Sequence, residues 1–199
     1  MKRFWIRQKY LEKYAFIHIN KCGGTSIEAF LEIPKVHDTA AQRISVIGRD
    51  NWEQKFTFAL IRHPYSKVVS HFKYRKTTNQ TEMGSRPIEI NEWVQRAYRD
   101  KEPQLHDDSL MFAPCFDWVT VDGNVVVQRI IKLEELSLHW EQLLVDLGVP
   151  SSPPPVENRT SMTSATGARE ILDKESIKII DDIFASDFEI FKYKQEKQF

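Results

Sequence analysis

The chain of 199 residues is long enough to bury one sizeable core, and its 41% hydrophobic and 28% charged content is that of an ordinary globular protein. Lys plus Arg and Asp plus Glu each total 28, so the net charge is zero; this argues against a general nucleic-acid binder but leaves room for a local basic pocket. Two widely separated cysteines, Cys22 and Cys115, make no disulfide framework, the N-terminus has no apolar run of signal-peptide length, and no segment approaches a membrane span, so a cytoplasmic protein without a span is expected.

Residues 1–13 read as an N-terminal extension. Tyr14–Asn20 (YAFIHIN) is aromatic and β-branched and runs into a glycine turn, which predicts a buried strand. Thr25–Leu31 opens a helix, with Ile27, Phe30 and Leu31 on one face. Lys55–Ile61 (KFTFALI) predicts a second strand, and Pro64 suits the first turn of the helix after it, along which Val68, Val69 and Phe72 recur. Ile88–Tyr98 is amphipathic. Asp122-Gly123 in "WVTVDGNVVVQ" suits a tight hairpin turn, whose second arm is expected to run on into a core strand, Arg129–Leu133. Leu138–Leu147 predicts a helix stopped by Gly148, with Pro150 beyond. Ser151–Gly167, rich in Pro, Ser and Thr, is read as a covering loop rather than a linker between two cores. Lys174–Phe191 closes the chain with Ile177, Ile180, Phe184, Phe188 and Phe191 at helical spacing. Strands alternating with helices predict one α/β domain over residues 1–199, with a small, mostly parallel central sheet flanked by helices.

Two loops carry chemistry. In "INKCGGTS" a strand turns through Gly23 and Gly24 into a helix, so free N–H groups and the helix dipole face any bound anion. Thr25 and Ser26 add hydroxyls, and Lys21 adds a positive charge. The same residues also suit a plain strand–helix turn capped by Thr25 or Ser26. An ATPase loop would place lysine after the last glycine, where Thr25 stands, and a Cys-x5-Arg phosphatase loop would place arginine at Glu28. Cys22 is therefore read as a small loop residue rather than a nucleophile. The second loop is "ALIRHPYSKVVSHFKY". Arg62 ends the strand, and Ser66 and Ser70, four apart, share a face of the following helix. Taken alone, this segment is better read as a surface arginine with two solvated serines.

Together the loops resemble sulfotransferases that use 3′-phosphoadenosine 5′-phosphosulfate (PAPS). "INKCGGTS" is similar to their 5′-phosphosulfate loop, and "IRHPYSKVVS" to their 3′-phosphate motif, with Arg62 and Ser70 at the family's spacing of eight. "HDTAAQRISVIGRDNWEQKFTFALIRHPYSKVVSHF", "APCFDWVTVDGNVVVQRIIKLEEL" and "SDFEIFKY" resemble the bacterial and carbohydrate-type branch, so the likeness runs from Phe16 to Tyr193. Asn20, His63, Ser66 and Cys115 depart from the commoner Pro, Asn, Asp and Gln.

The resemblance implies a P-loop-like three-layer fold and transfer of a sulfuryl group to a hydroxyl or amine, a carbohydrate being the favoured acceptor, with no metal and no nucleic-acid partner. In it Lys21 serves the leaving oxygen, and Cys22, Gly23, Gly24, Thr25 and Ser26 form the 5′-phosphate loop. Arg62 and Ser70 hold the 3′-phosphate, and Asn158 and Ser161 match an N-x-S stretch near the nucleotide. His37, in "KVHDTAAQ", matches the histidine of the branch's H-x-T-A stretch and is the expected base; His18, in the first strand, is expected to pack in the core. A non-catalytic PAPS-binding protein of the same fold and a degenerate nucleotide kinase are the rival readings.

Overall fold

The computed structural model describes residues 2–155 and 165–195. Their contacts fall into two compact units, 1–62 with 115–160 and 63–114 with 161–199. The first unit begins with α1 (Lys2–Tyr10), β1 (Tyr14–Ile17), α2 (Gly24–Leu31), α3 (Ala40–Ile47), α4 (Arg49–Glu53) and β2 (Phe56–Ile61). The chain then enters the second unit with α5 (Pro64–Thr77), α6 (Ile90–Trp93) and α7 (Ser109–Phe112). It returns to the first through α8 (Cys115–Val119), the short strands β3 (Thr120–Val121) and β4 (Asn124–Val125), then β5 (Arg129–Lys132) and α9 (Leu136–Leu147). The second unit is completed by α10 (Ala165–Glu170), α11 (Lys174–Ile183) and α12 (Ala185–Ile190).

The first unit is an α/β fold on a parallel three-stranded sheet of order β1-β2-β5, flanked by helices, as the alternating pattern predicts. β2 lies in the middle, pairing Phe58 with Phe16 on one side and with Arg129 on the other. Thr57–Ile61 are all buried, which is why this strand reads as a continuous apolar run rather than an alternating one. β1 ends at Ile17, earlier than expected: His18, Ile19 and Asn20 have already left the sheet for the glycine turn.

Three other boundaries differ from expectation. The Asp122-Gly123 turn is as predicted, both residues having positive φ (50° and 75°), but its arms have two residues each and form a separate antiparallel ribbon. β5 starts afresh at Arg129, because the core sheet requires parallel pairing with β2. Ile88–Tyr98 divides into α6 and a π-helical turn, Val94–Arg99. The closing helix breaks at Phe184 into α11 and α12. The core of the second unit gathers Tyr65, Val68, Trp93, Tyr98, Phe112 and Phe184.

Arg43 anchors the first unit from inside. Its side chain is 2% exposed and grips both oxygens of Asp38, Nε to Oδ2 at 2.6 Å and Nη2 to Oδ1 at 2.7 Å. Nη1 donates to Gln8 Oε1 of α1 at 2.7 Å, and the guanidinium lies over the Phe4 and Trp5 rings at 5.5 and 5.1 Å. Helix α3, which carries Arg43, starts with a capping box between Thr39 and Gln42. The N-terminal stretch is thus a helix tied into the fold. Removing one partner of a buried ion pair strands the other, so Arg43→Ala should cost about 3–5 kcal/mol in urea unfolding, and Gln8→Ala considerably less.

Candidate active site

The turn between β1 and α2 uses its two glycines for different reasons. Gly23 is the residue before the first turn of α2 and has φ 81°, a left-handed conformation that costs an L-residue with a side chain strain. Gly24 is needed for space. A Cβ placed there would lie 2.0 Å from Cδ2 and 2.6 Å from Cγ of His18, because the imidazole rests directly on the Gly24 backbone. No side chain caps α2, so neither Thr25 nor Ser26 closes the turn in the way a plain structural connection would require. Its first-turn N–H groups, together with the exposed Thr25 and half-buried Ser26, are left at the positive end of the helix dipole.

Positive charge collects at this turn. Arg62, just past the end of β2, donates from Nη1 to the Lys21 carbonyl at 3.2 Å, so β2 braces the loop of β1. Burial first, and then the Arg62 and Lys35 charges, push the Lys21 ammonium down to about 8, with Cys22 acting in the opposite direction. An anion bound here would relieve that repulsion. Lys21 itself has φ 63°, which sets it at the bend. Cys22 is buried, with Sγ 3.9 Å from Cys115 Sγ at the start of α8, and the two form no disulfide. Two cysteines that are distant in sequence therefore meet at the loop.

His37 stands on the segment between α2 and α3, half-buried, its ring 4.2 Å from the His18 ring and edge-on to Trp118 at 6.2 Å. Its Nδ1 is 3.0 Å from the His18 carbonyl, which can only accept. Nδ1 therefore carries the hydrogen, and in the neutral ring Nε2 holds the lone pair. Burial, followed by the His18 charge, lowers the His37 pKa and keeps the ring neutral at neutral pH. His18 is not a plain core residue: its Nδ1 is 2.7 Å from Oε1 of Glu28, and both side chains are buried. The sequence carried one signal of this. Glu28 sits with Gly24 and Ile27 on the buried face of α2, where an apolar residue would be ordinary.

A model of the sulfotransferase family matches residues 2–194, running through both compact units. The chain belongs to the sulfotransferase family. No curated protein and no solved structure matches it. Membership supports sulfuryl transfer as the activity of this transferase, and with it a sulfate donor and an acceptor substrate.

The sulfotransferase residues singled out in the sequence are distributed unevenly. Lys21, Cys22, Gly23, Gly24, Thr25, Ser26, His37 and Arg62 all lie in the first unit. Arg62 meets the loop directly, and His37 meets it through His18. Ser70, half-buried on α5, belongs to the second unit. Asn158 and Ser161 lie outside the described residues, as does most of the expected covering loop. His71 is buried, with Nδ1 3.2 Å from Tyr98 Oη, and His106 is held by the Ala97 carbonyl at 2.9 Å and packed on Phe112; both serve the core of the second unit. Among the described residues no group of three His, Cys, Asp or Glu side chains is arranged to hold a metal, and no helix is long and apolar enough to cross a membrane.

Because Glu28 and His37 leave the His18 ring no room to withdraw, Gly24→Ala should destabilise the fold by about 1–3 kcal/mol in thermal unfolding. Gly23→Ala, strained by its left-handed backbone, should cost roughly 1–2 kcal/mol.

Proposed function

We propose that the protein transfers the sulfuryl group of PAPS to an acceptor hydroxyl or amine, the resemblance to the carbohydrate branch favouring a saccharide hydroxyl. The observation that carries this reading is the junction of Arg62 with the Lys21 carbonyl. It concentrates Arg62, Lys21 and Lys35 at an uncapped helix start, a cradle for a ligand of several negative charges. The residues fit the donor: Gly23 takes the left-handed conformation that turns the backbone into α2, whose start no side chain caps. PAPS, when bound, supplies an activated sulfuryl group on a phosphate leaving group.

The chain's task is then positioning and charge stabilisation, as in phosphoryl transfer. The N–H groups of the turn, with Thr25 and Ser26 and with Cys22 in the loop, hold the 5′-phosphate. Lys21 stabilises the charge growing on the leaving oxygen. Arg62 is assigned the 3′-phosphate, and Ser70, Asn158 and Ser161 are given their nucleotide roles on the resemblance alone. His37, with the lone pair on Nε2, takes the proton of the attacking hydroxyl. Both compact units are read as parts of one sulfotransferase domain, because the family match runs through both.

A screen of saccharide acceptors with ³⁵S-PAPS should give a labelled product, and Lys21→Ala should lower kcat by about 10²–10³-fold. Tight binding of 3′-phosphoadenosine 5′-phosphate (PAP) without transfer to any acceptor would instead leave a non-catalytic binding protein. In thermal-shift measurements PAP should stabilise more than AMP. Equal stabilisation would remove the roles given to Arg62 and Ser70, and a Mg²⁺-dependent preference for ATP would favour a kinase.

The pH dependence has a definite sign. Lys21 titrates near 8 in the free protein, and an anion prefers its charged form, so binding holds the proton. PAP affinity should therefore be flat between neutrality and about pH 8, then fall up to tenfold per pH unit above it. Lys21→Ala should abolish that alkaline fall, as isothermal titration across the range would show.

A further inference from the structure

We infer that Glu28 is the positioning residue of the His37 base, one carboxylate oxygen fixing both the imidazole that backs His37 and the peptide N–H that precedes it. This rests on the reading of His37 as the base. Oε1 of Glu28 lies 2.7 Å from Nδ1 of His18 and accepts from the Val36 N–H at 3.1 Å. The His18 imidazole and the Glu28 carboxylate therefore form a buried ion-pair contact, side by side at 2.7 Å. Held there, the ring rests on Gly24 and beside the His37 ring, while its carbonyl receives Nδ1–H of His37 at 3.0 Å. The tautomer that leaves Nε2 of His37 basic is thus set by His18, and Glu28 holds His18 in place.

The backbone is tied at the same atom. Val36 directly precedes His37, and its N–H has no helical or strand partner to fix it; Glu28 supplies one from α2. Asp38, directly after His37, is clamped by Arg43. The base is therefore held on both flanks by buried side chains. Glu28 sits one turn beyond Gly24 on the helix whose start forms the anion cradle, so a single rigid element sets both the cradle and the base. A buried carboxylate is costly where an apolar side chain would serve packing alone, and these two contacts are what Glu28 has in return. Orientation of a reactive histidine through a carboxylate behind it is a familiar use of such a group.

The charged and titratable groups facing His37 are His18 from the end of β1, Glu28 from α2 and Lys35 from its own segment; α8 contributes the uncharged Trp118. Burial, His18 and Lys35 lower the His37 pKa, whereas the bond to the His18 carbonyl and the Glu28 charge raise it. Glu28→Gln can keep an oxygen in the place of Oε1, preserving both contacts while removing the charge. Glu28→Ala removes everything.

The test uses the whole chain and reads His37 in two ways: by ¹⁵N NMR of the imidazole in the donor-free protein, and by the pH profile of kcat/KM with PAPS and a productive acceptor. The native protein should show the Nδ1–H tautomer. Glu28→Gln should retain that tautomer, with a lower His37 pKa and an acid limb moved to lower pH. Glu28→Ala should lose the tautomer preference and lower kcat roughly 10–100-fold, with KM for PAPS moving less than kcat. An unchanged His37 tautomer and pKa in both variants, with His37→Ala inactive, overturns the positioning role while the base reading stands. A His37→Ala protein that keeps its kcat overturns the base reading itself. If Glu28→Ala fails to fold, Glu28→Gln still decides: a merely structural Glu28 lowers Tm and leaves both the His37 pKa and the acid limb where they were.

Discussion

The seating of the His18 imidazole on Gly24 is the contact from which the rest of the site follows. The ring occupies the space a Cβ would take, so position 24 has to be glycine, and α2 starts closer to the end of β1 than any other residue would allow. That approach brings Glu28, one turn along, within 2.7 Å of the ring. It also turns the His18 carbonyl towards His37. The loop proposed to hold the donor and the histidine proposed as the base are therefore one construction. Its cost is the burial of a histidine and a glutamate, which their mutual contact offsets.

Electrostatics explains how a chain of zero net charge carries a strongly basic turn. The charges are balanced overall but not locally: Lys21, Lys35 and Arg62 act on one another across a turn whose own backbone is already positive. Repulsion and burial bring Lys21 to about 8, yet at neutral pH its charged form still outnumbers the neutral one about ten to one. The site is thus poised rather than discharged. On the proposed reading, a multiply charged donor would restore the ammonium fully, and most strongly where negative charge increases in the transition state. Arg62 contributes twice, once through its charge and once by holding the Lys21 carbonyl, which fixes the bend from which that ammonium projects.

What was legible in the sequence was local. Gly148 stops α9, Pro64 opens α5, and Asp122-Gly123 makes a hairpin turn, because each acts within a residue or two of itself. The glycine turn was legible for the same reason. The misread boundaries are places where a pattern outlasts its element. The apolar residues Ile17 and Ile19 carry the strand pattern past His18, although β1 has ended. The β-rich run from Thr120 to Lys132 has no residue that marks the change from ribbon to core sheet. Helical spacing continues across Phe184, where the backbone turns. The site partners were hidden for another reason: His18 and Glu28 are ten residues apart, and Cys22 and Cys115 are 93 apart, so only the fold brings them together. A glutamate on the apolar face of α2 was the one mark left in the sequence.

The support of His37 reaches further from the chemistry than either loop suggests. The segment that carries it has no regular structure of its own, so its rigidity has to come from its neighbours. On one side, Glu28 holds the Val36 N–H. On the other, Asp38 is gripped by Arg43, whose remaining donors reach Gln8 and the Phe16 carbonyl, and whose face is covered by Phe4 and Trp5. The first helix therefore does more than extend the chain. It completes the burial and hydrogen bonding of the guanidinium, and a guanidinium without those partners would draw water to Asp38 and loosen the residue beside the base. Placing the proposed base on an irregular segment lets it lie beside the loop proposed to hold the donor. Fastening both flanks to buried charges from α2 and α3 gives that segment the fixed geometry that in-line transfer requires.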